Sequence, residues 1–174
     1  MIRERKIILF IATSLDGYIA GPDGDISWLK SDQDYGYSDF AAGIDAVVMG
    51  RKSYEVSLGF GCWLFPGMKA YVFTRNASLA PHEDVEYVSS PVAEFAGALK
   101  EKPGKNIWLL GGGELVQGFL DSGLVDEAVI TIHPVILGGG VPLVPQGTVR
   151  RTMKLTNVKS YDTGLVQAFY EFCG

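Results

Sequence analysis

The chain has 174 residues, the length of one ordinary domain and enough for a core without disulfides or metals. Hydrophobic residues make up 47% and charged residues 20%, a composition that excludes a disordered chain. The formal net charge of -5 gives no general attraction to nucleic acid or to an anionic membrane surface, so neither is an expected partner.

Five short apolar runs predict buried strands. They lie at residues 6–12, 46–49, 70–73, 107–110 and 128–132. Because these runs are continuous and rich in β-branched residues, they are typical of strands in a largely parallel sheet that is covered on both faces. The first is also far too short to span a membrane.

Helical patterns separate these runs and predict an α/β fold with crossover connections. They lie around Asp39 and at residues 52–58, 92–100 and 114–122, with Gly123 placed to end the last helix. Two further runs, at 154–161 and 165–172, flank Asp-Thr-Gly and predict an antiparallel hairpin at the end of the sheet.

The two cysteines, Cys62 and Cys173, lie far apart and form no CxxC pair. This pattern excludes a disulfide framework or a zinc site, and it predicts reduced thiols in a cytoplasmic protein.

A glycine triplet follows the strand predicted at 107–110. Gly111, Gly112 and Gly113 lead directly into a helix that begins with Glu114. Backbone N–H groups of such a loop, together with the helix N-terminus, can hold a pyrophosphate. The spacing is not that of the Rossmann fingerprint, so the triplet fits a tight strand-to-helix turn as well as a phosphate-binding loop.

Cations follow two other predicted strands. Gly50 is followed by Arg51, Lys52 and Ser53 in the first turn of a helix. Cations at this end oppose the helix dipole unless an anion compensates, although the same charges also fit a solvated surface. Thr74 and Arg75 end the next strand. Arg51 and Arg75 could together grip one phosphate, as a site selective for NADPH over NADH requires.

Taken in order, these motifs resemble the dihydrofolate-reductase-like superfamily. The motifs are S-L-D-G-x-I-A, M-G-R-K-S-Y-E, F-T-R, L-G-G-G-E-L and V-D-E-x-x-I-T-x-x-P-V-x-L-G-G-G-x-P-L. The set is most similar to the branch that holds the reductase domain of the bifunctional riboflavin-biosynthesis deaminase/reductase, and it covers nearly the whole chain. The resemblance implies one three-layer α/β/α domain over residues 1–174, with a central mixed sheet that ends in the hairpin.

The resemblance also implies roles for individual residues. Those matching the NADPH-binding positions of the superfamily are Ala12, Ile19, Gly50, Arg51, Lys52, Ser53, Thr74, Arg75, Gly111, Gly112, Gly113 and Glu114. Thr131 matches a strand hydroxyl that reaches the substrate pocket, and Trp28 matches an aromatic residue beside it.

The chain departs from true folate reductases in the segment after Trp28. Asp32 and Asp34 lie one residue either side of the position of the acid that assists pterin protonation, and both also fit helix N-capping. The zinc signature of the deaminase is absent from the sequence. The sequence therefore predicts the reductase half alone.

We accordingly expect hydride transfer from NADPH to a small heterocyclic substrate, most like 5-amino-6-(5-phosphoribosylamino)uracil. Thr131 and Asp32 are candidate catalytic residues, as is Asp16 at the mouth of the first strand, which could bond to substrate or supply a proton. The alternatives are a dihydrofolate or pterin reductase and a non-catalytic NADPH-binding protein.

The resemblance and the C-terminal sequence together predict a homodimer. The apolar run 165–172 is expected to form the edge strand of the sheet, and an uncovered apolar edge is a hazard for association. Either a second copy of the chain or the aromatic stretch 60–66 would cover it; that stretch also fits a core segment or a pocket wall.

Overall fold

Ten strands, four helices and one short 3-10 turn at Pro22–Gly24 lie in the part of the chain that the computed structural model describes, residues 4–76 and 78–174. In chain order the strands and helices are β1 (Ile7–Ser14), β2 (Tyr18–Ala20), α1 (Tyr37–Ala42), β3 (Ile44–Gly50), α2 (Arg51–Leu58), β4 (Lys69–Phe73), β5 (Val85–Val88), α3 (Val92–Glu101), β6 (Asn106–Gly111), α4 (Gly113–Ser122), β7 (Glu127–His133), β8 (Val141–Pro142), β9 (Met153–Ser160) and β10 (Val166–Phe172). None of the helices in the described residues is both long and apolar enough to cross a bilayer.

Eight of the strands form one mixed sheet, which confirms the predicted fold class. Its order is β5-β4-β3-β6-β1-β7-β10-β9, and the first six strands are parallel. The last two form the predicted hairpin, which runs antiparallel to β7. The five apolar runs are all central strands, because only a strand covered on both faces can bury every side chain.

Helices cover both faces of the sheet and give it three layers. α3 and α4 pack one face, where Phe119 is fully buried against Ile7 and Leu9 of β1. α1 and α2 pack the other face, where Tyr54 joins a cluster around Trp108. Neighbouring residues of β1 point alternately to the two clusters, as the period of a strand requires. The predicted helix stop is also confirmed, since Gly123 ends α4 with a left-handed φ of 71°.

The predicted edge strand is wrong. β10 lies between β7 and β9, so the edge of the sheet is β9, all eight of whose residues are exposed. The physical reason is visible in the residue types: β9 carries Lys154 and Lys159, and charged side chains are typical of an edge strand. β10 is apolar because two neighbouring strands enclose it.

The aromatic stretch 60–66 does not cover the hairpin edge. Phe65 is buried, and its ring centroid lies 5.6 Å from that of Trp108 in the middle of the sheet. Trp63 stacks on His82 with centroids 4.5 Å apart. This stretch therefore belongs in part to the core, which was one of the alternatives that the sequence left open.

Candidate functional site

Most of the predicted site residues lie at one end of the parallel strands. The strands β4, β3, β6, β1 and β7 are parallel neighbours, so their carboxyl ends meet there. Ligands in open α/β sheets bind at the carboxyl ends of the strands. The residues that follow or end these strands are Gly50, Arg51, Lys52, Ser53, Thr74, Arg75, Gly111, Gly112, Gly113, Glu114, Asp16 and His133.

Each of the three glycines in the loop after β6 occupies its position for a different physical reason. Gly111 has a φ of 125°, which a larger residue rarely adopts. A Cβ on Gly113 would lie 2.6 Å from the carbonyl oxygen of Pro142, so close backbone packing requires glycine. At Gly112, φ is 55° and a Cβ would meet only the Ser53 hydroxyl, at 3.7 Å. Gly112 is thus the glycine that leaves space beside the start of α2.

The N-termini of α2 and α4 converge at this space. α2 begins after Gly50 and α4 after Gly112, and neither helix has a side-chain cap. Free N–H groups and the partial positive charge of each helix therefore face the same region. A space that a Cβ would fill, beside two such N-termini, fits a pyrophosphate.

The cations that follow β3 and β4 are exposed at the same end of the parallel strands as this loop. The register pairs Gly50 with Phe73, so Arg51 and Thr74 come directly after neighbouring positions in the sheet. The Arg51 Nε lies 3.8 Å from a Glu55 carboxylate oxygen, and both side chains are about half exposed. Such a surface pair is weak, so it leaves the guanidinium available to an anion.

Asp16 anchors a loop. Its carboxylate accepts hydrogen bonds from the Ser14 hydroxyl at 2.6 Å and from the backbone N–H groups of Leu137 at 3.1 Å and Gly138 at 2.8 Å. The Ser14 bond, followed by the two backbone bonds, lowers the pKa of Asp16 to about 2. A carboxyl group with this pKa is ionised at neutral pH, which favours positioning over proton supply.

A cavity of about 310 Å³ lies on the α1 face of the sheet, next to the ends of β1 and β7. Its floor comes from alternate residues of β1, β7 and β10, which share one face because of their period of two, and from Leu165 just before β10. The floor residues are Phe10, Ala12, Thr131, His133, Leu165 and Gln167, and the wall residues are Lys30, Ser31, Gln33, Asp34, Tyr35 and Tyr37. Ala12 and Thr131, both predicted from the resemblance, therefore lie in one pocket.

His133 holds the wall of this cavity in place, a role that sequence reasoning missed. The ring is buried; its Nε2 accepts the backbone N–H of Lys30 at 3.2 Å. The other nitrogen, Nδ1, must then carry the hydrogen, which it directs to the carbonyl oxygen of Thr131 at 3.3 Å. Burial lowers the pKa of His133, so the ring is neutral at pH 7. Trp28 packs edge-on against it, with ring centroids 5.2 Å apart.

The two acids after Trp28 have separate partners. Asp34 accepts bonds from the backbone N–H of Ser38 at 3.1 Å and from its hydroxyl at 2.7 Å, within the first turn of α1. The N-cap residue of this helix is Gly36, so the predicted capping by an acid is wrong. Asp32 instead accepts the phenol of Tyr35 at 2.7 Å, and this bond is the main cause of its lowered pKa. Of these two acids, only Asp34 lines the cavity. The catalytic role of Asp32 stays a prediction.

The remaining predicted cofactor residue, Ile19, lies half-buried on β2. This strand pairs with β8 through Tyr18 and Ala20. A Cβ on Gly140 would overlap the Ala20 carbonyl, so glycine at this position allows the close approach of these two segments.

Comparison with known proteins agrees with this architecture. The sequence pattern of the RibD C-terminal domain family matches residues 5–59 and 71–167. The uncharacterized protein YyaP of Bacillus subtilis (strain 168) is 35% identical over 185 residues, covering 99% of this chain and 98% of that one.

Two crystal structures share the fold. A proposed riboflavin biosynthesis protein from Shewanella sp. PV-4 has a TM-score of 0.86 and 31% identity, covering 97% of this chain and 99% of that one. A diaminohydroxyphosphoribosylaminopyrimidine deaminase/5-amino-6-(5-phosphoribosylamino)uracil reductase from Thermotoga maritima has a TM-score of 0.75 and 18% identity, covering 98% of this chain and 57% of that one. The chain belongs to the RibD C-terminal domain family, with the dihydrofolate-reductase-like fold.

Proposed function

We propose that the protein is an NADPH-dependent reductase that transfers hydride to a small heterocyclic substrate, most like 5-amino-6-(5-phosphoribosylamino)uracil. The observation that carries this proposal is the convergence of two helix N-termini on the space at Gly112, with exposed cations beside it. Membership of a family of the riboflavin-biosynthesis reductase type supports the same reaction class.

The chain's own residues would bind and orient the cofactor. Gly112 and the N-terminus of α4 would hold the pyrophosphate, while Arg51, Lys52 and Arg75 would surround the phosphate on the adenosine ribose. Ala12, which lines the floor of the cavity, would lie beside the nicotinamide end of the cofactor. The bound cofactor supplies the hydride, and the protein supplies position and exclusion of water.

The cavity next to Ala12 would hold the substrate. Its volume of about 310 Å³ and its aromatic lining, which includes Phe10, Tyr35 and Tyr37, suit one flat ring. The test is consumption of NADPH across a panel of pyrimidine, pterin and quinazoline substrates. Turnover of dihydrofolate alone would favour a folate reductase, and cofactor binding without any turnover would favour a non-catalytic binding protein.

Arg51→Ala is expected to weaken NADPH binding by about 1.5–3 kcal/mol, the range for hydrogen bonds to charged groups, and to leave NADH binding nearly unchanged. Only NADPH carries the extra phosphate that a guanidinium at this position would contact. Dissociation constants of both cofactors, measured by calorimetry at low salt, check this. Equal constants for the two cofactors in the wild type would contradict NADPH selectivity.

Lys102→Ala is the matched control for Arg51→Ala. It also removes one positive charge, but the exposed Lys102 follows α3, at the amino ends of the parallel strands and away from the glycine loop. The control is expected to leave both dissociation constants unchanged. An equal loss in both variants would mean that overall charge, and not a local phosphate contact, sets the affinity.

We also propose a cytoplasmic homodimer in which a second copy covers β9. Met153, Leu155 and Val158 of this edge are 42–51% exposed, a hazard for association unless a partner covers them. Light scattering at micromolar concentration should give a dimeric mass, and Leu155→Asp should give a monomeric one. Leu58→Asp, at an equally exposed apolar residue on α2, is the control and should stay dimeric. A monomeric wild type would refute the dimer.

A further inference from the structure

A buried amide beneath the cavity has no role in the function proposed above. Gln167 on β10 is 1% exposed. Its Nε2 donates to the carbonyl oxygen of Tyr35 at 3.2 Å and to the Thr131 hydroxyl oxygen at 3.0 Å, while its Oε1 accepts the phenol of Tyr161 at 3.3 Å. The rings of Tyr35 and Tyr161 pack edge-on, with centroids 4.9 Å apart, and Tyr35 lines the cavity.

The contact with the Tyr35 carbonyl oxygen identifies which atom of the Gln167 amide is the nitrogen. A carbonyl oxygen can only accept, so the Gln167 nitrogen must face it. Both N–H groups are then committed, one to Tyr35 and one to the hydroxyl oxygen of Thr131. Thr131 consequently acts as the acceptor in this pair.

The hydroxyl hydrogen of Thr131 is left to point elsewhere. Within residues 4–76 and 78–174, Gln167 is the one side chain that bonds this hydroxyl. The register aligns Thr131 with Ala12 on one side and Gln167 on the other, and all three line the cavity. A buried O–H without an acceptor is costly, so a ligand that offers an acceptor here removes that cost.

We propose that Gln167 is a positioning residue that makes the Thr131 hydroxyl a hydrogen-bond donor into the cavity, so that the site selects a ring presenting a carbonyl oxygen over the same ring presenting an amino group. This inference rests on the proposed function, because it takes the cavity as the substrate site. Thr131 touches the substrate, and Gln167 acts through it.

Uracil and cytosine are suitable probes, since they share a ring and differ in one carbonyl-to-amino exchange. The measured quantity is the ratio of their dissociation constants, from NMR titration of the protein. Thr131→Val, which removes the hydroxyl at nearly constant shape, should lower the preference for uracil about fivefold, the effect of one typical hydrogen bond. Thr131→Ser keeps the hydroxyl and should keep the preference.

Gln167→Glu tests the positioning itself. A carboxylate only accepts, so Thr131 would donate to it and present lone pairs to the cavity, and the preference should again fall about fivefold. This fall must disappear in the Thr131→Val background. A fall that persists there would come directly from the new charge and would overturn the proposal, as would an unchanged ratio in Gln167→Glu or Thr131→Val.

Two further variants complete the experiment. Tyr161→Phe removes a bond to Gln167 without changing which atom faces Thr131, so it should keep the wild-type ratio; a fall there would count against the assigned orientation. If circular dichroism shows that Gln167→Glu does not fold, Gln167→Met removes the amide donors at similar length and should also lower the ratio only when Thr131 is present.

NADPH affinity, measured on the same proteins, separates the two proposals. A wild-type protein that does not bind NADPH refutes the reductase, whereas an unchanged uracil-to-cytosine ratio in the variants refutes the role of Gln167.

Discussion

Replacing Gly112 with valine is expected to abolish NADPH binding while the protein stays folded. A Cβ at this position would lie 3.7 Å from the Ser53 hydroxyl, between the starts of α2 and α4. The branched side chain would therefore occupy the space proposed for the pyrophosphate. Calorimetric titration with NADPH measures the loss, and thermal unfolding by circular dichroism measures whether the fold survives.

The backbone at Gly112 requires a control. Its φ of 55° is unfavourable for valine, and such strain costs about 1–3 kcal/mol, which is less than the 5–15 kcal/mol stability of an ordinary domain. Gly67→Val also places valine at a positive φ, of 76°, where a Cβ meets nothing within 4 Å, and it therefore controls for the positive φ. Gly67→Val should keep NADPH binding. Unfolding of Gly112→Val alone would mean that this glycine serves backbone geometry.

The central sheet could be predicted from the sequence because its strands are local signals. Each of the five apolar runs became a strand within two residues of its expected bounds, and Gly123 ended α4 as expected. The strands that were missed have two to four residues, as in β8 at Val141–Pro142, and too few side chains to show a period.

The order of the hairpin strands could not be predicted from local sequence patterns. The residues of β10 are apolar because β7 and β9 enclose it, and this pairing joins Thr131 to Gln167 across 36 residues. An apolar C-terminal run says that a strand is covered without saying by which neighbour.

The candidate site divides in the same way. The glycine and cation motifs at the ends of β3, β4 and β6 were visible because each lies within a few residues of its strand. The cavity was not visible: His133 bonds the N–H of Lys30 across 103 residues, and Gln167 bonds the carbonyl of Tyr35 across 132. Backbone partners leave no trace in the residue types, so only the fold reveals them.

A buried arginine lies at the other end of the parallel strands, where their amino ends meet. Its burial could not be predicted from the sequence, because its neighbours along the chain are polar. Arg5 is 5% exposed and forms an ion pair with Asp45. Its Nε also donates to the carbonyl oxygen of Lys105 at 2.6 Å, and another guanidinium nitrogen lies 3.4 Å from that of Leu99. The one side chain thus joins the start of β1 to β3 and to the segment between α3 and β6.

Arg5→Ala is expected to destabilise the protein by about 3 kcal/mol. The substitution leaves the Lys105 carbonyl without its donor, while the Asp45 carboxylate keeps the backbone N–H of Lys105 and the Leu99 carbonyl keeps that of Lys102. Breaking a buried pair costs about 3–5 kcal/mol, and the lower end applies because these bonds remain and the Asp45 side chain is 34% exposed. For a chain of this size the loss corresponds to a fall in Tm of about 6–12 °C. Calorimetric unfolding measures it.

Lys6→Ala is the matched control, because the neighbouring Lys6 pairs with Glu127 but is 45% exposed. An exposed pair contributes about 0–1 kcal/mol, so this variant should lose no more than a few degrees. NADPH affinity should be unchanged in both variants, since both residues lie at the amino ends of the strands, away from the glycine loop. A fall in Tm for Arg5→Ala no larger than that for Lys6→Ala would show that water replaces the lost hydrogen bonds and that the pair at Asp45 does not hold the sheet edge together.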